Sequence, residues 1–149
     1  MGMHYTTAPV YIILFGDTRT RVGLPMAVRY DPVRCQLIYT AGLASAFLYM
    51  HLAAATLGLA SQWVSGIQTP YVHCMVKNLL NIPVEMEVYD MIALGYPAIE
   101  PRSKFMRDTK KMIHYDVSGD EGFRNDEEVR DFVKRCRNWN VGTHRSVSD

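Results

Sequence analysis

The chain has 149 residues, a length typical of one domain that buries its own core. Its 16 basic and 15 acidic residues leave a net charge of +1, so nothing global indicates a nucleic-acid partner or an anionic surface. Three cysteines without a CxxC pair indicate reduced thiols in a cytoplasmic protein. The N-terminal stretch lacks the basic region of a secretory signal.

The stretch from Tyr39 to Leu57 contains no Asp, Glu, Lys or Arg and is rich in helix-forming Ala, Leu and Met. Gly58 fits a left-handed C-terminal cap. A helix that is apolar all round is either buried by protein or lies in a membrane. Tyr39 to Ser65 is long enough to span a bilayer, but no basic cluster flanks it and helical propensity breaks at Gly58. We therefore expect no membrane span but a central helix whose small residues pack closely at a homodimer interface.

Two segments precede this helix. The apolar, β-branched run Ala8 to Phe15 predicts a strand that is buried on both faces. Thr18 to Gln36 contains two prolines and four arginines and predicts a long surface loop. We interpret its arginines as solvated.

The segments after the helix alternate between strand and helix patterns. Leu59 to Val64 and Glu85 to Tyr96 predict strands, and Thr69-Pro70 begins a helix that continues to about Leu80. The remaining expectations are a basic stretch Arg102 to Lys111, a short strand Met112 to Tyr115, a loop Ser118 to Gly122, an amphipathic helix from the Asn125 cap to about Trp139, and a polar tail Val141 to Asp149. The order predicts one layered domain of helices and strands over residues 1–149, with a helical extension and tail at 118–149.

No side-chain catalyst stands out in the sequence. We find no metal-ligand spacing, no nucleophile motif and no convincing carboxylate pair, and His51 in an apolar helix is most simply a core histidine. A cofactor would therefore carry any chemistry. Two features suit one. The first is the segment Gln62, Trp63, Val64, Ser65 and Gly66, whose glycine lets backbone approach a flat ligand, although a simple tight turn explains it equally well. The second is Lys104 with Arg107, whose cations could meet a phosphate, although a solvated charged loop is the simpler explanation of these two residues alone.

Two segments, AGLASAFLYMHLAAATLGLASQWVSGI and VKNLLNIPVEMEVYDMIALGYPA, resemble the second half of the FMN-dependent nitroreductase family. The family pattern is a long helix ending in Ala-x-x-x-Gly-Leu, a strand, a glycine turn, a helix ending in Leu-x-Ile-Pro, and a strand that runs into Gly-Tyr-Pro. APVYIILFGDTR resembles the family's central strand, so the likeness extends over most of Ala8 to Tyr115. The matching residues are Ala54, Ala55, Gly58-Leu59, Ser65-Gly66, Leu80 to Pro83, and Leu94 to Pro97.

This resemblance implies an α+β fold and an intertwined homodimer with the long helix at its interface. It implies one FMN in each of two clefts and a ping-pong reaction, in which NAD(P)H reduces the flavin at N5 and the flavin reduces a nitroaromatic, a quinone or a similar acceptor. The amides of Trp63 to Gly66 would lie beside the flavin ring and stabilise its reduced charge. Lys104 and Arg107 match the region that reaches the FMN phosphate.

The chain also departs from the family pattern. It has no counterpart of the family's N-terminal Arg-Ser-x-Arg segment or of a later Asn region, both of which bind FMN, so we expect it to correspond to a C-terminal portion. Ser65 stands where several members carry Glu. The alternative hypothesis is a non-catalytic dimeric domain, or a truncated family member that no longer binds FMN.

Overall fold

The structure is a computed structural model that describes residues 4–99, 107–117 and 123–145, with side chains as far as Asn138. The chain divides into two units, Met1–Glu100 and Pro101–Asp149, and each is described by itself. The first unit contains, in chain order, a 3-10 helix His4–Thr7, strand β1 Val10–Asp17, a 3-10 helix Thr18–Gly23, helix α1 Met26–Arg29, helix α2 Pro32–Thr56, strand β2 Ala60–Val64, a 3-10 helix Ser65–Gln68, helix α3 Pro70–Leu79 and strand β3 Met86–Gly95.

Helix α2 begins at Pro32, seven residues before the uncharged stretch on which the prediction rested. The Asp31 carboxylate accepts hydrogen bonds from the amides of Val33 and Arg34 at 3.0 and 3.1 Å, and proline occupies the first helical position. The prediction of one loop over Thr18 to Gln36 is therefore wrong. That segment contains a 3-10 helix, α1 and the start of α2, because Asp-Pro is a strong helix-initiating pair.

Gly58 ends α2 as predicted. Its φ of 71° is left-handed, the Leu59 amide donates to the Ala54 carbonyl at 2.9 Å, and the Gly58 amide donates to the Ala55 carbonyl at 3.1 Å. These two bonds are the Schellman pattern, which satisfies carbonyls that the helix end leaves unpaired. Helix α3 ends in the same way at Asn81, with φ 52°. The end of α2 turns the chain directly into β2, whereas a short loop follows α3 before β3 begins at Met86.

The three strands form an antiparallel sheet in the order β1-β3-β2. Among the described strands β1 therefore lies at an edge and β3 at the centre. The expectation that the first strand is central and buried on both faces is wrong for this chain, because β1 pairs on one side and its side chains are half-buried or exposed. In β3, Tyr89 is an extra residue between the pairs Leu14–Asp90 and Phe15–Val88, a β-bulge.

The core of the first unit lies between one side of α2 and the sheet. Phe47 of α2 is completely buried. Ile92 at the centre of β3 and Ile67 after β2 are at most 2% exposed. Only Cys35, Phe47 and Ala54 of α2 are buried, so most of this helix is exposed in the single chain. By length and composition α2 is the one described helix that could cross a membrane, with 11% of its most apolar window buried.

The second unit contains a 3-10 helix Thr109–Lys111 and helix α4 Asp126–Arg145. The predicted strand at Met112 to Tyr115 is wrong, because the described residues of this unit offer no strand to pair with. Met112 lies in a turn and Tyr115 in a bend. Asn125 and Glu128 form a capping box, with bonds of 2.9 and 3.0 Å. Helix α4 continues past Trp139, so the tail from Val141 is helical as far as Arg145. The predicted loop Ser118 to Gly122 lies outside the described residues.

Candidate functional site

The predicted cofactor segment is one continuous piece of chain at the end of a sheet strand. Gln62, Trp63 and Val64 belong to β2, and Ser65 and Gly66 open the 3-10 helix that follows. Val64 is buried and fixes the segment to the core, whereas Gln62, Ser65 and Gly66 are exposed. The segment therefore presents backbone at the surface from a rigid base.

The surface at Gly66 is open. A Cβ placed on Gly66 would have nothing within 4 Å, so no described part of the chain fills the space beside this backbone. The first amides of a helical turn have no acceptor within that turn, and Ser65 and Gly66 are its first two residues. A flat ligand that accepts hydrogen bonds could lie against this turn, and these features fit the ring of a flavin.

The side chain of Trp63 is hydrogen-bonded to a buried acid, Asp90. Its indole Nε1 donates to Asp90 Oδ2 at 2.7 Å, and Asp90, on the central strand, is 2% exposed. Burial raises the pKa of the Asp90 carboxyl, although the hydrogen bonds from Trp63 and Gln68 oppose that rise. The second oxygen, Oδ1, is buried as well.

Trp63 also belongs to an aromatic cluster, which we define as Phe47, His51, Trp63 and Tyr89. Phe47 lies 4.5 Å from the Trp63 ring and 5.7 Å from Tyr89, measured between ring centroids, and His51 stacks on Trp63 at 5.9 Å and 20°. The His51 Nδ1 and the Ser61 hydroxyl are hydrogen-bonded at 2.7 Å, as expected of a structural histidine. Trp63 as a whole residue is still 45% exposed, so the cluster leaves part of it open to a ligand.

A cleft of about 490 Å³ lies beside this region, between α2, the start of α3 and the start of β3. Glu87 at its wall accepts a hydrogen bond from Arg21 at 3.2 Å, and the Arg21 guanidinium lies 4.5 Å from the centroid of the Tyr39 ring. The Tyr39 hydroxyl is buried without a partner among the described residues. Burial first and the nearby Glu87 second raise the pKa of Tyr39.

The two predicted phosphate ligands belong to the second unit. Arg107 is half-buried and precedes the 3-10 helix Thr109–Lys111, whereas Lys104 lies outside the described residues. The five turn residues are brought together because they are consecutive. The assignment of all seven residues to a flavin site stays a prediction.

Sequence reasoning missed Asp90, Tyr39 and Glu87. Asp90 carried a usable signal, since it is the only charged residue between Val88 and Tyr96, in a strand pattern that is otherwise apolar. Tyr39 and Glu87 carried none. Their proximity depends on how α2 crosses the sheet, and no local pattern encodes that crossing.

The sequence matches no family model and no curated protein. The structure, in contrast, is similar to solved nitroreductases. B. megaterium NfrA2 has a TM-score of 0.65 at 17% identity, over 95% of this chain and 58% of that protein. Nitroreductase CinD from Lactococcus lactis, in complex with chloramphenicol, has a TM-score of 0.62 at 16% identity, over 72% of this chain and 56% of that protein. An FMN-dependent nitroreductase from Clostridium difficile has a TM-score of 0.54 at 20% identity, over 74% and 59%.

These likenesses define the fold. The chain has the α+β nitroreductase fold, as the resemblance in the sequence predicted. It spans a little more than half the length of these solved proteins.

Proposed function

We propose that the protein is an FMN-dependent NAD(P)H oxidoreductase of the nitroreductase type. The solved structures that it resembles include nitroreductases and an NADH oxidase. The observation that carries the proposal is the open turn at Ser65 and Gly66, backed by Trp63 and its buried partner Asp90. This arrangement suits a flat ring with polar edges.

The residues have separate roles in this proposal. FMN, when bound, would supply the hydride exchange between NAD(P)H and a nitroaromatic, quinone or similar acceptor in a ping-pong cycle. The amides at Ser65 and Gly66 would donate to the ring edge and stabilise developing negative charge. Trp63 and Gln62 would border the ring, and Val64 would anchor the segment. Arg107 and Lys104 would bind the phosphate.

A homodimer is part of the proposal and rests on the exposed side of α2. This side carries several large apolar side chains that the chain itself leaves open: Val33, Leu37, Ile38, Leu48, Tyr49 and Leu52. Exposed apolar area of this extent marks a protein interface more often than free surface. We propose that a second copy covers it, and that the protein is cytoplasmic without a membrane span.

A non-catalytic dimeric domain is the second candidate. It would need only the exposed apolar side of α2 and the sheet, and not the open turn at Ser65 and Gly66. Such a domain would keep the helix interface and the sheet but would not retain a flavin.

The function is tested by a matched pair of glycine variants. Gly66 and Gly23 both have nothing within 4 Å of a Cβ, so valine should fold at either position. Gly66→Val should weaken FMN binding at least about tenfold and lower NAD(P)H-dependent nitroreductase activity with it, because the side chain would occupy the space of the ring. Gly23→Val should change neither. Equal FMN affinity in the two variants would remove the turn from the site.

The dimer is tested by adding charge at two exposed apolar positions. Leu48 on α2 is 54% exposed and Val84 in the loop before β3 is 85% exposed. Sedimentation velocity in detergent-free buffer should show a dimer for the wild type and Val84→Arg, and a monomer or aggregate for Leu48→Arg. A monomeric wild type would exclude the proposed interface, and a wild type that requires detergent would support the membrane reading of α2.

A further inference from the structure

The cleft beside Tyr39 and Glu87 has no part in the proposed flavin site. Its volume of about 490 Å³ is enough for a small organic molecule, and none of the residues from Gln62 to Gly66 lines it. It lies entirely in the first unit, so its shape depends on α2, α3 and β3 alone. Its lining is mixed, with apolar Leu43 and Val88 beside polar groups.

Each of the two glutamines that line the cleft donates a hydrogen bond from its side-chain amide to another group of the protein. Gln36 Nε2 donates to the Thr40 hydroxyl at 3.0 Å, and Gln68 Nε2 donates to the Tyr89 carbonyl at the bulge at 2.8 Å. These bonds fix the orientation of each amide and leave its oxygen for another partner. Both glutamines therefore offer a ligand an acceptor.

The lining carries one acidic group, which forms an ion pair with Arg21 on one side. Glu87 is its only carboxylate, and no Lys or Arg is among its lining residues in the described chain. Arg21 approaches from outside the lining and bonds to Glu87 Oε2, so the second carboxylate oxygen remains for a ligand. A carboxylate with two amide oxygens calls for a ligand that is rich in N–H donors.

We propose that this cleft binds a small organic cation in which an amidinium or ammonium group is attached to a flat ring. The cationic N–H groups bond to Glu87 and to the amide oxygens of Gln36 and Gln68. The flat ring packs against Tyr39 on α2 and Tyr89 on β3, which both line the cleft. The proposal does not depend on flavin binding and is tested in the absence of FMN.

The test uses two probes that differ in charge and little in shape, benzamidine and benzamide. Benzamidine should bind the wild-type protein with a Kd of roughly a millimolar and at least about fivefold more tightly than benzamide, because only benzamidine brings a cation to Glu87. Chemical-shift changes in an amide NMR spectrum should concentrate at Gln36, Gln68 and Glu87. Equal affinity for the two probes, or shift changes elsewhere, would overturn the proposal.

Matched variants locate the effect. Glu87→Gln should reduce benzamidine affinity about fivefold and leave benzamide affinity unchanged. Glu85→Gln removes the same charge two residues away, from a side chain that does not line the cleft, and should leave both affinities unchanged. If Glu87→Gln does not fold, Gln36→Leu replaces it, since removing an amide acceptor should also weaken benzamidine binding. Equal loss in the Glu85 and Glu87 variants would show that the effect is only long-range charge.

Discussion

The indole nitrogen of Trp63 lies 2.7 Å from a carboxylate oxygen of Asp90, and this bond joins the exposed turn to the centre of the sheet. Trp63 is on the edge strand β2, next to the open backbone of Ser65 and Gly66. Asp90 is on the central strand β3 and is almost completely buried. A buried acid at such a position is costly, and the hydrogen bond from the indole offsets part of that cost.

Replacing Trp63 with Phe tests this link. The change keeps an aromatic ring in the cluster but removes the N–H, and it leaves Asp90 Oδ2 without the donor from Trp63. We expect the free energy of unfolding at pH 7 to fall by about 1–3 kcal/mol, the cost of an unsatisfied buried group. Urea denaturation measures it. In combination with Asp90→Asn the loss should differ from the sum of the single effects by more than about 0.5 kcal/mol, and strict additivity would contradict the coupling.

Asp90 should make stability depend on pH in a definite direction. Because burial raises its pKa in the folded state, the folded protein binds the proton more tightly than the unfolded chain does. Stability from this group is therefore complete below the unfolded pKa, near the model-compound value of 3.8, and is lost as pH rises through the folded pKa. Asp90→Asn cannot ionise, so it should be more stable than the wild type at pH 7, by about 1 kcal/mol.

The comparison of Asp90→Asn with the wild type by thermal unfolding between pH 3.5 and 7 measures that difference. The advantage of the variant should shrink towards the acid end of the range. Asp131→Asn is the control, since Asp131 is exposed and its pair with Lys134 at 3.6 Å is weak. A constant difference between Asp90→Asn and the wild type across the range would exclude a raised pKa.

Gly16 is required by the approach of α2 to β1. A Cβ at Gly16 would lie 2.5 Å from the Tyr39 hydroxyl and 3.0 Å from Leu43 Cδ2. Gly16→Ala should therefore destabilise the protein by about 1–3 kcal/mol, the usual cost of overpacking. Adding Tyr39→Phe removes the closest atom and should recover part of the loss in urea denaturation. Gly23→Ala, in open space, should be close to neutral; a similar loss there would mean that the Gly16 effect is not steric.

Gly58 is required by its conformation and not by space. Nothing lies within 4 Å of a Cβ there, but its φ of 71° is strained for a residue with a side chain. Gly58→Ala should cost about 1 kcal/mol in the free energy of unfolding. Gly58→Asn should cost clearly less, since Asn tolerates this region, as Asn81 does at the end of α3. Equal losses for Ala and Asn would show that the cap is not left-handed in solution.

The parts of the fold that sequence predicted well are those with local causes. The end of α2 at Gly58 and the start of α3 at Pro70 follow from single residues with defined backbone preferences. The predictions that failed are those that depend on distant partners. Whether β1 is central or at an edge is set by which strands pair with it, and a strand at Met112 to Tyr115 needs a neighbour that the described part of its unit lacks.

In the candidate site, too, the locally encoded features could be predicted from the sequence and the long-range contacts could not. A strand that runs into a glycine turn is visible in the residues Gln62 to Gly66, and the structure has a strand and a turn there. The brace from Asp90 and the pairing of Arg21 with Glu87 join positions 27 and 66 residues apart in the chain, which no local pattern encodes. The start of the long helix is an intermediate case: the Asp31 cap and Pro32 are visible in the sequence, but the uncharged stretch that predicts the helix begins seven residues later.

The measurement that tests the central claim most directly is the visible absorption spectrum of the wild-type protein after incubation with FMN and desalting. The account predicts a retained flavin spectrum near one FMN per chain, which NAD(P)H bleaches and a nitroaromatic acceptor restores. A colourless protein that is folded by circular dichroism would contradict the oxidoreductase assignment for this chain and would favour the non-catalytic dimeric domain.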